Sequence, residues 1–195
     1  MDQTAATAAQ VAGRATDVAL VAAAQAGNQA AYEALVEPRL QPLLRLAISI
    51  VGNESDGRDA VQDACLQAWR ELPRLHDPER FEAWLWRIAI NRCRSLLRSR
   101  RRSRIREIAV DDLPSGHEPT DPRRAMADEL SATDTIQRAF ARLDPDRRTL
   151  LVLHHVEERS VVDIAALLGI PEGTAKWRLH AARQELERAM KAEAR

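Results

Sequence analysis

At 195 residues the chain has room for one or two compact domains, neither of them large. Apolar residues make up 45% and charged residues 30%, a balance that excludes a disordered chain and fits a soluble, folded one. The 29 basic and 29 acidic residues cancel overall but separate locally: residues 87 to 106 carry nine Arg and no acid, residues 107 to 121 five acids and no base. Such blocks point to an interaction surface rather than to a fold requirement. No stretch approaches the roughly 20 apolar residues that span a bilayer. The alanine-rich start, Met1 to Ala15, lacks the basic flank and apolar run of a signal peptide, so no membrane insertion and a cytoplasmic location are expected.

Spacing by three and four recurs along the chain while sustained apolar–polar alternation is absent, which predicts an all-α protein. Residues 1–16 are expected to be a disordered tail, with a first helix beginning after Thr16-Asp17 and a second carrying Tyr32, Leu35 and Val36. Pro38 and Pro42 are expected to bend or break that second helix, because proline lacks the amide hydrogen and clashes with the preceding turn. A third helix is then placed over Leu43 to Val51, stopping at Gly52-Asn53. A fourth, Asp56 to Leu72, sets Val61, Cys65, Ala68 and Leu72 on one stripe and leaves Arg58, Asp59, Gln62, Asp63 and Gln67 largely elsewhere.

After a turn at Pro73 to Pro78, a helix is predicted over Glu79 to Arg102. Phe81, Trp84, Leu85, Ile88 and Leu96 share one side, Trp86, Ile90, Cys93 and Leu97 a second, and Arg87, Asn91, Arg94 and Arg98 the third. The result is a buried helix with one basic ridge that runs into the arginine cluster at 98 to 106. That track is either a nucleic-acid patch or a solvated helix end. Periodicity lapses beyond it, and Pro114, Pro119 and Pro122 with the acidic run make 104–127 an acidic, flexible linker. Two domains are therefore expected, 17–103 and 128–195.

The C-terminal segment has the form of a helix-turn-helix. Ser160 followed by Asp163 is a capping-box-like start, Ile164, Ala165 and Leu168 form the apolar side, and Gly169 ends the helix. The next helix opens at Pro171-Glu172-Gly173-Thr174 and turns Ala175, Leu179, Ala182, Leu186 and Ala189 inward. Opposite them stand Gly173, Trp177, His180, Ala181, Gln184 and Arg188, flanked by Lys176 and Arg178. Such a face suits the major groove of duplex DNA, although an ordinary solvated face has the same spacing.

Enzyme chemistry finds no foothold: there is no phosphate-cradling Gly-rich loop, no HExxH and no nucleophile elbow. Cys65 and Cys93 have neither metal-ligand spacing nor a disulfide framework and are taken as buried free thiols. His154 and His155, adjacent on a helix, are expected to point to different sides. Neither an enzyme nor a metal, cofactor or small-molecule substrate is expected.

Several stretches resemble the extracytoplasmic-function (ECF) sigma factors, the small two-domain sigma subunits of bacterial RNA polymerase. They are Asp59-Ala-Val-Gln-Asp-Ala-Cys-Leu-Gln-Ala-Trp69, Phe81-Glu-Ala-Trp-Leu-Trp-Arg-Ile-Ala-Ile-Asn-Arg92, Ser160-Val-Val-Asp-Ile-Ala-Ala-Leu-Leu-Gly-Ile-Pro-Glu-Gly-Thr174 and Arg178-Leu-His-Ala-Ala-Arg183. With the weaker Ala26 to Leu35, the likeness covers most of residues 17 to 190.

The resemblance implies an N-terminal sigma region 2 bundle and a C-terminal sigma region 4 domain, with core RNA polymerase and promoter DNA, duplex and melted, as partners. Arg58, Asp59, Gln62, Asp63 and Gln67 become polymerase contacts. A loop similar to Arg74 to Arg80, with His76 and Asp77, captures a flipped minus-10 base, and Trp84, Arg87, Asn91, Arg92, Arg94 and Arg98 line the melted strand. Glu172, Gly173, Thr174, Lys176, Trp177, Arg178, His180, Ala181, Arg183 and Gln184 become the minus-35 reading set. Members of the family are often held by an anti-sigma protein, and these residues identify none.

The chain departs from the family's common pattern at Trp177, where a small polar residue is usual, and at Ala181, often basic. Both bear on base preference at the upstream element. Pro38 replaces a basic or polar helical residue. The C-terminal domain holds eleven basic and twelve acidic side chains, a net charge of −1, too weak a phosphate term for a stand-alone operator binder. A free-standing helix-turn-helix regulator is the alternative reading.

Overall fold

The computed structural model describes residues 16–110 and 132–193. Among the described residues no strand occurs. The elements are α1 (residues 16–25), α2 (Gln29–Val51), α3 (Glu54–Glu71), α4 (Phe81–Val110), α5 (Ala132–Arg142), α6 (Pro145–His155), α7 (Val161–Leu168) and α8 (Glu172–Glu193). Two single 3-10 turns, Leu72–Arg74 and Pro78–Arg80, shape the α3–α4 loop. The expected N-terminal tail and linker fall outside the described residues, apart from residues 16 and 104–110.

Local chemistry sets most helix ends. Asn28 caps α2 by accepting from the Ala31 amide at 3.1 Å, and Asn53 caps α3 by accepting from the Asp56 amide at 2.9 Å. Between them α2 stops at Gly52, whose φ of 91° is a left-handed conformation that glycine adopts without a Cβ penalty.

Two expectations need correction. Pro38 and Pro42 do not break α2, which runs as one 23-residue helix through both. The carbonyls they leave without a donor belong to Ala34 and Pro38, both exposed residues that water can reach. The other side of the helix keeps Leu35, Val36, Leu43, Leu46 and Ile50 buried, and that packing holds the helix together. Helix α4 also continues to Val110, past the predicted end at Arg102, because no Gly or Pro interrupts the chain before Pro114.

Helices α1 to α4 form the first bundle. Gln25 Nε2 donates to the carbonyls of Leu72 (3.0 Å) and Leu75 (2.8 Å), tying α1 to the α3–α4 loop. The α2–α3 crossing is so close at Gly57 that a Cβ there would stand 2.6 Å from Ile48 Cγ1 and 3.0 Å from the Ile48 backbone nitrogen. Phe81, Leu85, Trp86, Ile90 and Cys93 put two sides of α4 into the core.

Helices α5 to α8 form the second body. Ala139, Leu143, Leu150 and Leu153 pack against Ile164, Leu167, Leu179 and Ala182, most of them in a buried apolar cluster that is continuous with the core of the first bundle. Arg147 bridges α6 to Glu185 of α8, and Arg138 and Arg142 both reach Glu193 at the end of α8.

Candidate nucleic-acid interface

Two surfaces carry the predicted DNA contacts. The first is the outward ridge of α4. Arg87, Asn91 and Arg98 are exposed, Arg94 is half-buried, and all lie on the third side of α4, between the two sides that are buried. Arg92 is half-buried with its Nε enclosed and without an acceptor. Burial pushes the Cys93 thiol up to about 12, so it stays protonated inside the bundle. Trp86 is buried in the core, while Trp84 is partly exposed, 6.1 Å from Phe81 between ring centroids.

The α3–α4 loop presents Arg74, His76, Asp77 and Arg80, all exposed. Asp77 organises it: its Oδ1 accepts from the Glu79 amide at 3.1 Å and its Oδ2 pairs with Arg80 Nε at 3.0 Å.

The second surface is the outer face of α8. Ser160 Oγ accepts from the Asp163 amide at 3.1 Å and donates to the Asp163 carboxylate at 2.6 Å, fixing the start of α7. Gly169, at a φ of 67°, ends α7 and its amide returns to the Ala165 and Ala166 carbonyls. The chain then enters α8, with Ala175, Leu179 and Ala182 turned inward.

Glu172, Gly173, Lys176, Trp177, Arg178, His180, Arg183 and Gln184 are exposed, whereas Thr174 and Ala181 are half-buried. Trp177 leaves 69% of its surface open, more than any other large apolar side chain among the described residues. Gln184 bonds His180 at 3.0 Å, and Arg183 Nε donates to His155 Nε2 at 3.1 Å. The two adjacent histidines do not diverge: their rings meet edge to face at 4.8 Å between centroids, because His154 turns back to bond the Arg159 carbonyl.

In the first bundle, α3 exposes Arg58, Asp59, Gln62 and Asp63, with Gln67 half-buried and bonded to Glu71. Beside them is a shallow apolar groove between α2 and α3, lined by Val36, Leu40, Leu44, Val61, Leu66 and Trp69. Tyr32 closes one end, donating to the Cys65 carbonyl at 2.6 Å and packing on Trp69. Cys65 is only half-buried, not enclosed as expected. Sequence reasoning concentrated on the polar residues of α3 and passed over Leu66, 48% exposed among them. The signal was there: a leucine between Asp63 and Gln67, off the buried stripe.

Residues 35–103 match the family Sigma-70 region 2, and residues 133–186 match Sigma-70, region 4. The RNA polymerase sigma-H factor of Pseudomonas aeruginosa is 32% identical over 182 residues, 89% of this chain and 93% of that protein. The ECF RNA polymerase sigma factor SigM of Mycobacterium tuberculosis is 32% identical, covering 90% of this chain and 85% of its own. Among solved structures, CnrH in complex with the cytosolic domain of CnrY superposes with a TM-score of 0.64 at 31% identity, covering 91% of this chain and 98% of that one. The sigma factor RpoE of Bartonella quintana, in complex with the anti-sigma factor NepR, gives 0.63 at 25% identity, over 82% of this chain and 96% of that one.

The chain belongs to the ECF sigma factors of RNA polymerase. It is a transcription initiation factor that directs promoter recognition, not an enzyme. No described helix is long and apolar enough to cross a membrane.

Proposed function

We propose that this sigma subunit divides promoter recognition between its two exposed basic surfaces. The exposed face of α8, from Glu172 to Gln184, enters the major groove of the minus-35 element. Arg178 contributes base-edge contacts, and Lys176 and Arg183 contact phosphates. The α4 ridge of Arg87, Asn91, Arg94 and Arg98 holds the melted minus-10 strand, with the half-buried Arg92, off the ridge, as a further contact. The loop Arg74 to Arg80 with Trp84 takes an unstacked base, and stacking worth about 1 to 3 kcal/mol offsets part of the cost of opening.

The domain division follows, 17–103 for the downstream reader and 128–195 for the upstream one. Core polymerase docks on the outward side of α3, at Arg58, Asp59, Gln62, Asp63 and Gln67. The adjoining apolar groove at Leu40 and Leu66 supplies the non-polar part of that contact. By analogy with the anti-sigma complex of RpoE, an anti-sigma protein is a further partner, and the site of action is the cytoplasm.

The observation that carries this reading is that α4 buries two sides in the bundle and leaves its arginine side outward. The test is multi-round transcription with purified chain, core RNA polymerase and a promoter library. New transcripts should start at defined sites only when the chain is added. Operator binding without core, and no transcripts with it, would favour the free-standing regulator instead.

A further inference from the structure

A large apolar side chain stands at the middle of the exposed face of α8. Ala175, Leu179 and Ala182 define the buried side of that helix, and at about 100° per residue the line directly opposite runs between Trp177 and Gln184. Lys176 and Arg183 lie to one side of that line and Arg178 to the other, and no acid occurs from residue 173 to 184. A helix set in the major groove turns its middle line to the base edges, while its flanks lie nearer the phosphates, from which a long side chain such as Arg178 still reaches inward. Trp177 is thus the side chain aimed at the groove floor, with exposed cations on both flanks.

Its surroundings leave the ring free for an apolar contact. The tryptophan is 69% exposed. One turn before it, Gly173 has no side chain, and nothing lies within 4 Å of where a Cβ would stand. One turn after it, Ala181 contributes a single methyl. A recess therefore opens beside the indole. Gln184, the other residue on the middle line, is committed to His180 at 3.0 Å. An indole has one donor and no acceptor. Over a G·C pair it would cover the N7, O6 and N4 groups without satisfying them all, and leaving such groups dry is costly. Thymine alone presents an apolar group in the major groove, its C5-methyl.

We propose that Trp177 makes this sigma factor select thymine at the upstream element, by seating the thymine C5-methyl against the indole in the recess over Gly173. The proposal rests on the reading of α8 given above, and it adds the base and the atom that are read. Seating the methyl removes it and the ring face from water together, which is favourable, whereas cytosine or uracil at the same place leaves the recess empty. The flanking cations hold the helix in the groove whatever the sequence, so this contact supplies discrimination rather than grip.

Uracil lacks only the methyl of thymine, which makes it the probe. Holoenzyme formed from core RNA polymerase and this chain selects a promoter from a library, and each thymine of its upstream element, on either strand, is then replaced singly by deoxyuridine. For the wild type, replacement at one position should weaken binding about fourfold, the ratio that burial of one methyl-sized group gives. Trp177→Ser should bind the thymine and uracil promoters equally, and should unfold at the wild-type temperature because so little of the ring is buried. Gly173→Leu, which fills the recess while Trp177 stays, should lose the same discrimination.

The absence of any uracil effect in the wild type, or an equal effect in Trp177→Ser, overturns the proposal. So does a selected upstream element without an A·T pair. If Trp177→Ser instead weakens binding to core polymerase with no DNA present and leaves the uracil effect intact, the ring belongs to a protein contact and the proposal falls. Scrambling the whole upstream element separates it from the reading beneath it. Binding indifferent to scrambling means that α8 does not read that element, and both fail; binding that responds to scrambling but to no uracil sinks the thymine proposal alone.

Discussion

The two helices proposed to face DNA meet opposite demands. Helix α4 is enclosed on two sides by large apolar groups, so its arginine ridge is held by the core of the first bundle. Helix α8 buries little more than Ala175, Leu179 and Ala182 in its first three turns, and most of its outer surface is free to vary. A rigid basic track suits contact with phosphates, which are the same in every sequence, whereas a thinly anchored face can change base-reading residues at little structural cost. Trp177 and Ala181 lie on that permissive face.

The contrast is most exposed to failure inside α4. Leu85→Ala should cost about 2 to 5 kcal/mol, the range for a buried leucine that leaves a cavity, whereas Arg98→Ala should stay within about 0.5 kcal/mol. Urea unfolding of the two variants measures both. A large loss for Arg98→Ala would make the ridge structural and remove its claim on DNA.

Two glycines sharpen the same point at a smaller scale. Gly57→Ala forces a Cβ into Ile48 and its backbone and should destabilise the first bundle by about 1 to 3 kcal/mol. Nothing lies within 4 Å of a Cβ on Gly173, so Gly173→Ala should leave the fold intact or stabilise α8 by up to about 1 kcal/mol. Thermal unfolding of the pair decides it, and equal losses would mean that α8 is as tightly constrained as α3.

On α8 itself, Arg178→Ala should weaken minus-35 binding by polymerase holoenzyme by about 1 to 3 kcal/mol if Arg178 reads a base edge bidentately. Competition between promoter fragments altered at single positions would reveal it: discrimination should relax at one position only. Uniform weakening across all fragments would reassign Arg178 to phosphate contact.

What could be read in the sequence followed from how local the governing interactions are. The helix-turn-helix was legible because Ser160, Asp163, Gly169 and Pro171 set its two helix ends through contacts spanning a few residues. The basic ridge was legible because 100° spacing sorts α4 without knowledge of its neighbours. Helix α2 was not: a local rule about Pro38 and Pro42 was overruled by burial of Leu35, Leu43 and Ile50 against other helices. The Arg45–Glu157 pair, 112 positions apart, left no periodic trace, nor did the meeting of His154 with Arg159, which depends on the turn after α6.

That turn yields the smallest expected effect. His155 Nε2 must be unprotonated to accept from Arg183 Nε, and partial burial, the Arg183 charge and His154 together hold the imidazole below its ordinary 6.5. Above that value the imidazole is neutral in both folded and unfolded chains, and the stabilisation is complete. As pH falls below 6.5 the unfolded chain takes up a proton that the folded one declines, so the second domain loses stability until the folded-state value is passed. Because His155 is largely exposed, the change is modest, and it is best measured as a difference: urea midpoints at pH 7.5 and 5.5 for wild type and His155→Gln. The variant should show the shallower pH dependence. An identical slope in the two proteins would mean that His155 titrates as it does in the unfolded chain, and that its bond to Arg183 places no constraint on α8.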